Sequence, residues 1–124
     1  MDYKDLANAI YPDAKPIEYY EEKYGPRDLP QGAEVTRFAP SPTGFVHIGG
    51  LYQCIINRAL AKQSNGVFML RIEDTDQVRK IENGVNQIVE ALAKFDFVPD
   101  EGMISETEEK GSYGPYKQSM RREI

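Results

Sequence analysis

The chain has 124 residues and a formal net charge of −5; 40% of its residues are hydrophobic and 28% are charged. This length and composition fit one small globular domain and exclude a disordered chain. The sequence contains no apolar run of the ~20 residues that a membrane helix needs and no signal-peptide pattern at its start. It has a single cysteine, Cys54, which excludes a disulfide framework and a multi-cysteine zinc site. We therefore expect a cytoplasmic protein, and its acidic charge argues against nucleic-acid binding by this segment alone.

Residues 1–33 differ from the rest of the chain, because they are rich in tyrosine and acidic residues and contain prolines at positions 12, 16, 26 and 30. We predict a short helix that begins within residues 2–8, another over residues 17–24, and an extended stretch over residues 24–32. The domain organisation that we expect is an N-terminal arm, residues 1–33, packed on a core formed by residues 34–124.

The core is predicted to begin with a strand at residues 35–39, because this run is β-prone and stops at Pro40. Residues 40–44 contain two prolines and a glycine and predict a loop. A helix is predicted from Gly49, and Asn65-Gly66 predicts its end. The apolar residues at helical spacing that define one face of this helix are Leu51, Ile55, Ala59 and Leu60.

A second strand is predicted at residues 67–72, which form an apolar, β-prone run of the buried type. An acidic segment, residues 73–76, follows it, and we interpret Asp74-Thr75-Asp76 as an N-cap of the next helix. That helix is predicted to end before Pro99 and to bury an apolar stripe with spacings of four, three, four and three, namely Ile81, Val85, Ile88, Leu92 and Phe95. Cys54 is interpreted as a packing residue.

The order strand, helix, strand, helix predicts an α/β fold with a parallel βαβ unit and a right-handed crossover. Ligands of such sheets bind outside the carboxyl ends of the strands. Two polar segments leave those ends, Arg37 to Gly44 and Glu73 to Asp76. Because neighbouring strands lie ~4.8 Å apart, side chains from the two segments can converge on one small molecule.

The turn into the first core helix has features of a phosphate site. Gly49 and Gly50 at the helix start allow close approach to the backbone, where free amides and the helix dipole favour an anion. His47, just before them, can donate a hydrogen bond to phosphate oxygens. These residues predict a nucleotide phosphate at a strand-to-helix turn. The site is of neither common type, because the three-glycine dinucleotide pattern and the Gly-Lys-Ser/Thr loop are both absent.

Three segments resemble the class I aminoacyl-tRNA synthetases in their glutamyl form. Arg37 to Gly50 resembles the first signature of that class, with Gly50 in place of its second histidine. Leu70 to Asp76 and Gly114 to Ser119 resemble the second and third stretches shared by glutamyl enzymes, in the same order. The resemblance covers residues 34–122 and implies a Rossmann-like nucleotide-binding fold, of which residues 34–124 would be the first half.

The resemblance implies a reaction in which glutamate and ATP form glutamyl-adenylate and the glutamyl group passes to the 3′ end of tRNA. It implies that L-glutamate is bound by four residues: Arg37 at a carboxylate, Glu73 at the α-ammonium group, Ala39 through its backbone, and Ser41. Positioning and electrostatics would drive catalysis, because the substrate carboxylate itself attacks the α-phosphate.

The same resemblance places His47, Gly49 and Gly50 in the ATP site, where they are the expected catalytic residues, and ATP implies Mg²⁺ without a dedicated protein cage. No zinc site is expected. The loop at residues 40–44 reads Pro-Ser-Pro-Thr-Gly, whereas that of the glutaminyl enzymes resembles Pro-Glu-Pro-Asn-Gly, which favours glutamate. A glutaminyl enzyme and the glutamyl-queuosine paralogue remain alternatives.

The same residues have simpler interpretations. Arg37 and Glu73 could form an ion pair between strand ends, and His47 could be an ordinary loop residue. Tyr116, Gln118 and Arg121 are interpreted as the start of a helix, with no role in the site.

The Lys-Met-Ser-Lys segment of the family is absent from this sequence, and residues 121–124 contain no helix stop signal. We therefore expect a fragment. It either supplies the ATP and glutamate site of a synthetase, with most tRNA contacts outside it, or acts as a nucleotide-binding module with little turnover.

Overall fold

The computed structural model describes residues 2–76 and 78–122. Its elements, in chain order, are α1 (Tyr3–Ile10), α2 (Ile17–Lys23), β1 (Val35–Phe38), α3 (Ile48–Gln63), β2 (Val67–Leu70), α4 (Gly84–Lys94), β3 (Glu101–Met103), β4 (Glu109–Lys110) and a 3₁₀ turn (Gln118–Met120). No helix among the described residues is long and apolar enough to cross a membrane.

The four strands form one sheet in the order β1-β2-β3-β4. Strand β1 pairs in parallel with β2, with Val35 opposite Val67, and β2 pairs in parallel with β3, with Met69 opposite Glu101. Strand β4 is antiparallel to β3. The predicted α/β fold with a parallel βαβ unit is therefore confirmed, and two further strands extend it.

Helices α3 and α4 are the crossovers of this sheet, and the core lies between them and the strands. Its buried side chains come from β1, β2 and both helices and include Phe38, Cys54, Phe68, Leu70, Val85, Ile88 and Leu92. The packing role predicted for Cys54 is confirmed. Backbones approach closely at Gly66, where a Cβ would lie 1.9 Å from the carbonyl oxygen of Glu34, so no other residue fits there.

Two predictions about the helices are wrong in part. On α3 the buried side chains are Cys54 and Ala61, whereas Ile55 and Leu60 of the predicted apolar face are 51% and 46% exposed. Cys54 and Ala61 lie seven residues apart, which is two helical turns, so small residues form the buried face, and of the predicted face Leu51 is partly buried against the core. On α4 the stripe is buried at its three central positions, but Phe95 is 55% exposed because it follows the last turn.

Helix α4 begins later than predicted, and the predicted N-cap is wrong. The residue before its first turn is Asn83, which adopts a left-handed conformation and whose side chain makes no capping hydrogen bond. Asp76 instead accepts a hydrogen bond from the backbone amide of Arg79, 3.0 Å away, which lowers the pKa of its carboxyl group. The α4 amide of Val85 donates to Glu106 Oε2 at 3.0 Å, so a distant loop caps this helix.

Residues 2–33 contain the two predicted helices, and neither helix has a buried residue. Asp2 caps α1 in a reciprocal capping box with Asp5. The stretch after α2 is joined to the sheet by Arg27, whose guanidinium makes two hydrogen bonds to Glu101 and lies 3.7 Å from the ring centre of Tyr113.

Candidate functional site

The carboxyl ends of β1 and β2 continue as paired backbone beyond the strands themselves. The amide of Arg71 donates to the Phe38 carbonyl oxygen at 3.0 Å, and the amide of Glu73 donates to that of Pro40 at 3.0 Å. Both segments that the sequence placed at the strand ends are therefore fixed side by side, as the predicted convergence requires.

A third segment lies on the other side of Ile72. The Ile72 amide donates to the Tyr116 carbonyl oxygen, and the Gln118 amide donates to that of Ile72, each at 2.8 Å, which forms a parallel bridge. Just beyond it, the buried carboxylate of Asp74 accepts hydrogen bonds from the amide and hydroxyl groups of Ser119, at 2.8 and 2.6 Å. The three segments that carry the sequence resemblance thus meet at one edge of the sheet.

This bridge revises the interpretation of the last segment. Tyr116 is fully buried, and burial raises the pKa of its phenol. Gln118 begins a single 3₁₀ turn that ends at Met120, so the predicted α-helix does not form over these residues. The predicted continuation at residues 123–124 lies outside the described residues.

Arg37 and Glu73 meet at this edge, as the sequence predicts. Arg37 Nη1 lies 3.0 Å from Glu73 Oε1, and the Arg37 side chain is 44% exposed. The ion pair foreseen as the simpler interpretation is therefore present. Its exposure makes it a weak contact that a charged ligand can replace.

Arg71 is a member of this cluster that the sequence analysis missed. Its Nε and Nη2 atoms lie 3.2 and 2.8 Å from Glu73 Oε1, the atom that Arg37 also contacts. The signal was available, because residues two apart in an extended segment project from the same face. Two guanidinium groups therefore share one carboxylate.

A groove of about 460 Å³ lies beside these strand ends. Four of the predicted site residues line it: Ala39, Ser41, His47 and Gly50. Arg37, Glu73 and Gly49 are not among its lining residues. A second groove, of about 790 Å³ between the arm and residues 115–122, contains none of the predicted site residues.

His47 is the N-cap of α3. Its Nδ1 atom accepts a hydrogen bond from the Gly49 amide at 3.2 Å, which leaves the proton of a neutral imidazole on Nε2. The amides of Gly50 and Leu51 donate to the His47 carbonyl oxygen. The amides expected to be free for a phosphate at Gly49 and Gly50 thus have partners within the helix start.

Gly50 also has a packing role. A Cβ there would lie 3.1 Å from Val46 Cγ1 and 3.4 Å from Phe38 Cζ, so the glycine allows α3 to sit tightly on the end of β1. Gly49 faces the His47 ring instead, where a Cβ would lie 3.1 Å from Cε1. The glycine pair therefore fits the turn itself, in addition to any ligand.

Comparison with known proteins agrees with the resemblance. The sequence profile of class I tRNA synthetases (E and Q), catalytic domain, matches residues 34–124. The glutamate–tRNA ligase of Clostridium perfringens is 53% identical over 125 residues, which is 100% of this chain and 23% of that protein. The glutamate–tRNA ligase of Acetivibrio thermocellus is 52% identical over 126 residues, with the same two coverages.

Solved structures show the same fold. The crystal structure of a glutamate tRNA ligase from Elizabethkingia meningosepticum in complex with its amino acid superimposes with a TM-score of 0.64 at 44% identity, over 74% of this chain and 17% of that one. The chain spans about a quarter of the length of the curated relatives that it matches. By profile, sequence and structure, the chain belongs to the catalytic-domain family of class I tRNA synthetases for glutamate and glutamine, and it aligns with part of the glutamate–tRNA ligases that it matches.

Proposed function

We propose that this chain supplies the ATP and glutamate site of a glutamate–tRNA ligase, which activates L-glutamate to glutamyl-adenylate and transfers it to the 3′ end of tRNA. The observation that carries the proposal is the exposed Arg37–Glu73 pair at the carboxyl edge of the parallel sheet, beside a groove of about 460 Å³, in a chain of this family. We also propose a cytoplasmic location and tRNA contacts formed mainly by other parts of the enzyme.

The Arg37–Glu73 pair suits an amino acid, because the ligand has the same two charges. The Arg37 guanidinium would bind a carboxylate of glutamate, and Glu73 would accept the α-ammonium group, so that each residue exchanges its present partner for one from the ligand. Ala39, through its backbone, and Ser41 would position the substrate from the adjoining groove, which both residues line.

ATP would bind at the start of α3, against His47, Gly49 and Gly50. Because Nδ1 of His47 accepts from Gly49, its Nε2–H is the group that can donate to a phosphate oxygen. The carboxylate of glutamate attacks the α-phosphate and pyrophosphate leaves, so the protein holds the reactants in line and stabilises charge.

We propose that Mg²⁺ enters this site bound to ATP. Within residues 2–76 and 78–122 no group of three or more His, Cys, Asp or Glu side chains lies close enough to hold a metal ion. We propose that the phosphate oxygens supply most of the ligands of Mg²⁺.

A second candidate is a binding module that holds ATP or an adenylate without useful turnover. The 124 residues contain no Lys-Met-Ser-Lys segment, whose charge would stabilise the departing pyrophosphate. Charging of tRNA by this chain alone, at a rate near that of its full-length relatives, would refute this candidate.

Calorimetric titration of the folded chain with a non-hydrolysable glutamyl-adenylate analogue, and with its glutaminyl counterpart, tests the first proposal. We expect binding of the glutamyl form alone. Binding of neither form would mean that the site needs further polypeptide, and equal binding of both would remove the preference for glutamate.

The variant Arg37→Ala should abolish recognition of glutamate and leave ATP affinity nearly unchanged, because only the carboxylate loses its partner. Arg58→Ala is the matched control, since Arg58 pairs with Asp96, 3.0 Å away, outside the candidate site. An equal loss of both ligands in Arg37→Ala would identify Arg37 as a structural residue.

A further inference from the structure

The cluster at the strand ends contains more positive than negative charge. Arg37 and Arg71 both contact Glu73, and all three hydrogen bonds end on the same atom, Oε1. Two guanidinium groups and one carboxylate sum to +1, so an additional anion would neutralise the cluster.

The two arginines hold Glu73 unequally. Arg71 contributes two hydrogen bonds and its side chain is 25% exposed, whereas Arg37 contributes one and is 44% exposed. Arg71 and Glu73 flank the fully buried Ile72, and their amides donate to carbonyl oxygens at the end of β1 and just beyond it. The Arg71–Glu73 contact is thus fixed by the backbone, while the Arg37 contact joins two separate segments.

We infer that Arg71 is a positioning residue for the amino-acid site, which holds the Glu73 carboxylate in place when Arg37 turns to the substrate. This inference rests on the proposed function. In the ligand-free state Arg37 and Arg71 share Oε1; with glutamate bound, Arg37 moves to the substrate carboxylate and Arg71 alone keeps Glu73 aimed at the ammonium group.

The charge of the cluster extends the inference to specificity. Glutamate carries a net charge of −1 and neutralises the surplus of +1, whereas the amide of glutamine leaves it uncompensated. Arg71 supplies that surplus, because Arg37 and Glu73 alone are balanced. Loss of Arg71 should therefore weaken binding of the glutamyl ligand and narrow its advantage over the glutaminyl one.

The test is calorimetric titration of the whole chain with the glutamyl-adenylate analogue, its glutaminyl counterpart, and ATP. For Arg71→Met we expect roughly a tenfold to hundredfold loss of glutamyl affinity, the effect of losing hydrogen bonds to a charged group, with ATP affinity unchanged. Arg71→Lys keeps the charge but loses the planar fork of donors and should recover part of the loss. The control variant Arg58→Met breaks the Arg58–Asp96 ion pair outside the site and should bind both adenylate analogues and ATP as the wild type does.

The inference is overturned if Arg71→Met binds the glutamyl ligand like the wild type, or if it loses ATP to the same extent. Should the wild type bind no ligand, the proposed function of the isolated chain fails, and the positioning role is decided on the free protein. There, ¹⁵N relaxation of the arginine Nε groups and ¹³C relaxation of the Glu73 carboxyl group report how rigidly each is held.

In the free protein we expect Arg71 Nε to stay rigid in Arg37→Met, and the Glu73 carboxyl group to become mobile in Arg71→Met although Arg37 is present. A mobile Arg71 in the wild type, comparable with the exposed Arg79, would overturn the inference without any ligand.

Discussion

At the residue scale, Cys54 shows how burial changes chemistry without creating a site. Its side chain is fully buried, and burial raises the pKa of the thiol from 9.0 to about 12. The folded state therefore retains the proton that the unfolded chain releases near pH 9. This contribution to stability is complete below pH 9 and is lost as the pH rises towards 12.

We predict that the free energy of unfolding, measured by urea denaturation, falls by about 1 kcal/mol more in the wild type than in Cys54→Ala between pH 8 and pH 10. Tyr116, whose phenol also has a raised pKa, contributes equally to both proteins and cancels. Thiol labelling at pH 8 should be slow in water and fast in denaturant. Fast labelling of the folded chain would show that Cys54 is accessible.

The residues of the candidate site could be predicted only in part. Arg37 and Glu73 were placed together because parallel strands end at one edge, and the structure brings them within 3.0 Å. The capping role of His47 and the contribution of Arg71 were missed. The capping role of His47 depends on side-chain direction, which hydrophobic patterning does not encode, whereas the two-residue spacing of Arg71 and Glu73 in an extended segment did place both on one face.

At the scale of single elements, α4 depends on a residue far away in the sequence. Glu106 Oε2 accepts from the Val85 amide at 3.0 Å, and its other oxygen lies 3.6 Å from Lys117 Nζ. A carboxylate at a helix N-terminus satisfies a free amide and interacts favourably with the helix dipole. Local sequence signals wrongly place the N-cap at residues 74–76, because the group that caps the helix comes from the β3–β4 loop.

We predict that Glu106→Ala lowers the free energy of unfolding by about 1–2 kcal/mol, the usual effect of losing a helix cap. Glu108→Ala, an exposed carboxylate in the same loop, is the control and should change it by less than about 0.5 kcal/mol. Thermal or urea unfolding monitored by circular dichroism measures both. Equal effects in the two variants would exclude a capping role for Glu106.

At the scale of the whole molecule, a largely buried ion pair joins the arm to the sheet. Arg27 is bonded to both carboxylate oxygens of Glu101, and the two side chains are 19% and 10% exposed. Its guanidinium stacks on Tyr113, whose hydroxyl donates to the Gly25 carbonyl oxygen at 2.8 Å. The sequence predicted an arm but contained no sign of its anchor, because Arg27 and Glu101 are 74 residues apart.

Removal of one partner leaves the other charge buried, so Arg27→Met should lower the free energy of unfolding by about 3 kcal/mol. The double variant Arg27→Met/Glu101→Leu should recover much of this loss, because no unpaired charge remains. Urea denaturation measures both variants. No recovery in the double variant would mean that the stacking on Tyr113, rather than the charge pair, holds the arm.

The parallel bridge between Ile72 and Lys117 has a consequence for synthesis on the ribosome. Glu73 and the two arginines that contact it are translated early. Ser119, which donates hydrogen bonds to Asp74, is translated 45 residues after Asp74. At about 5–20 residues per second this interval lasts roughly 2–9 s. During that time β1, β2 and α3 can already pair, but the edge that holds the site lacks its third segment. We therefore expect the nascent chain to acquire its ligand-binding geometry in a late step, after the βαβ unit has formed.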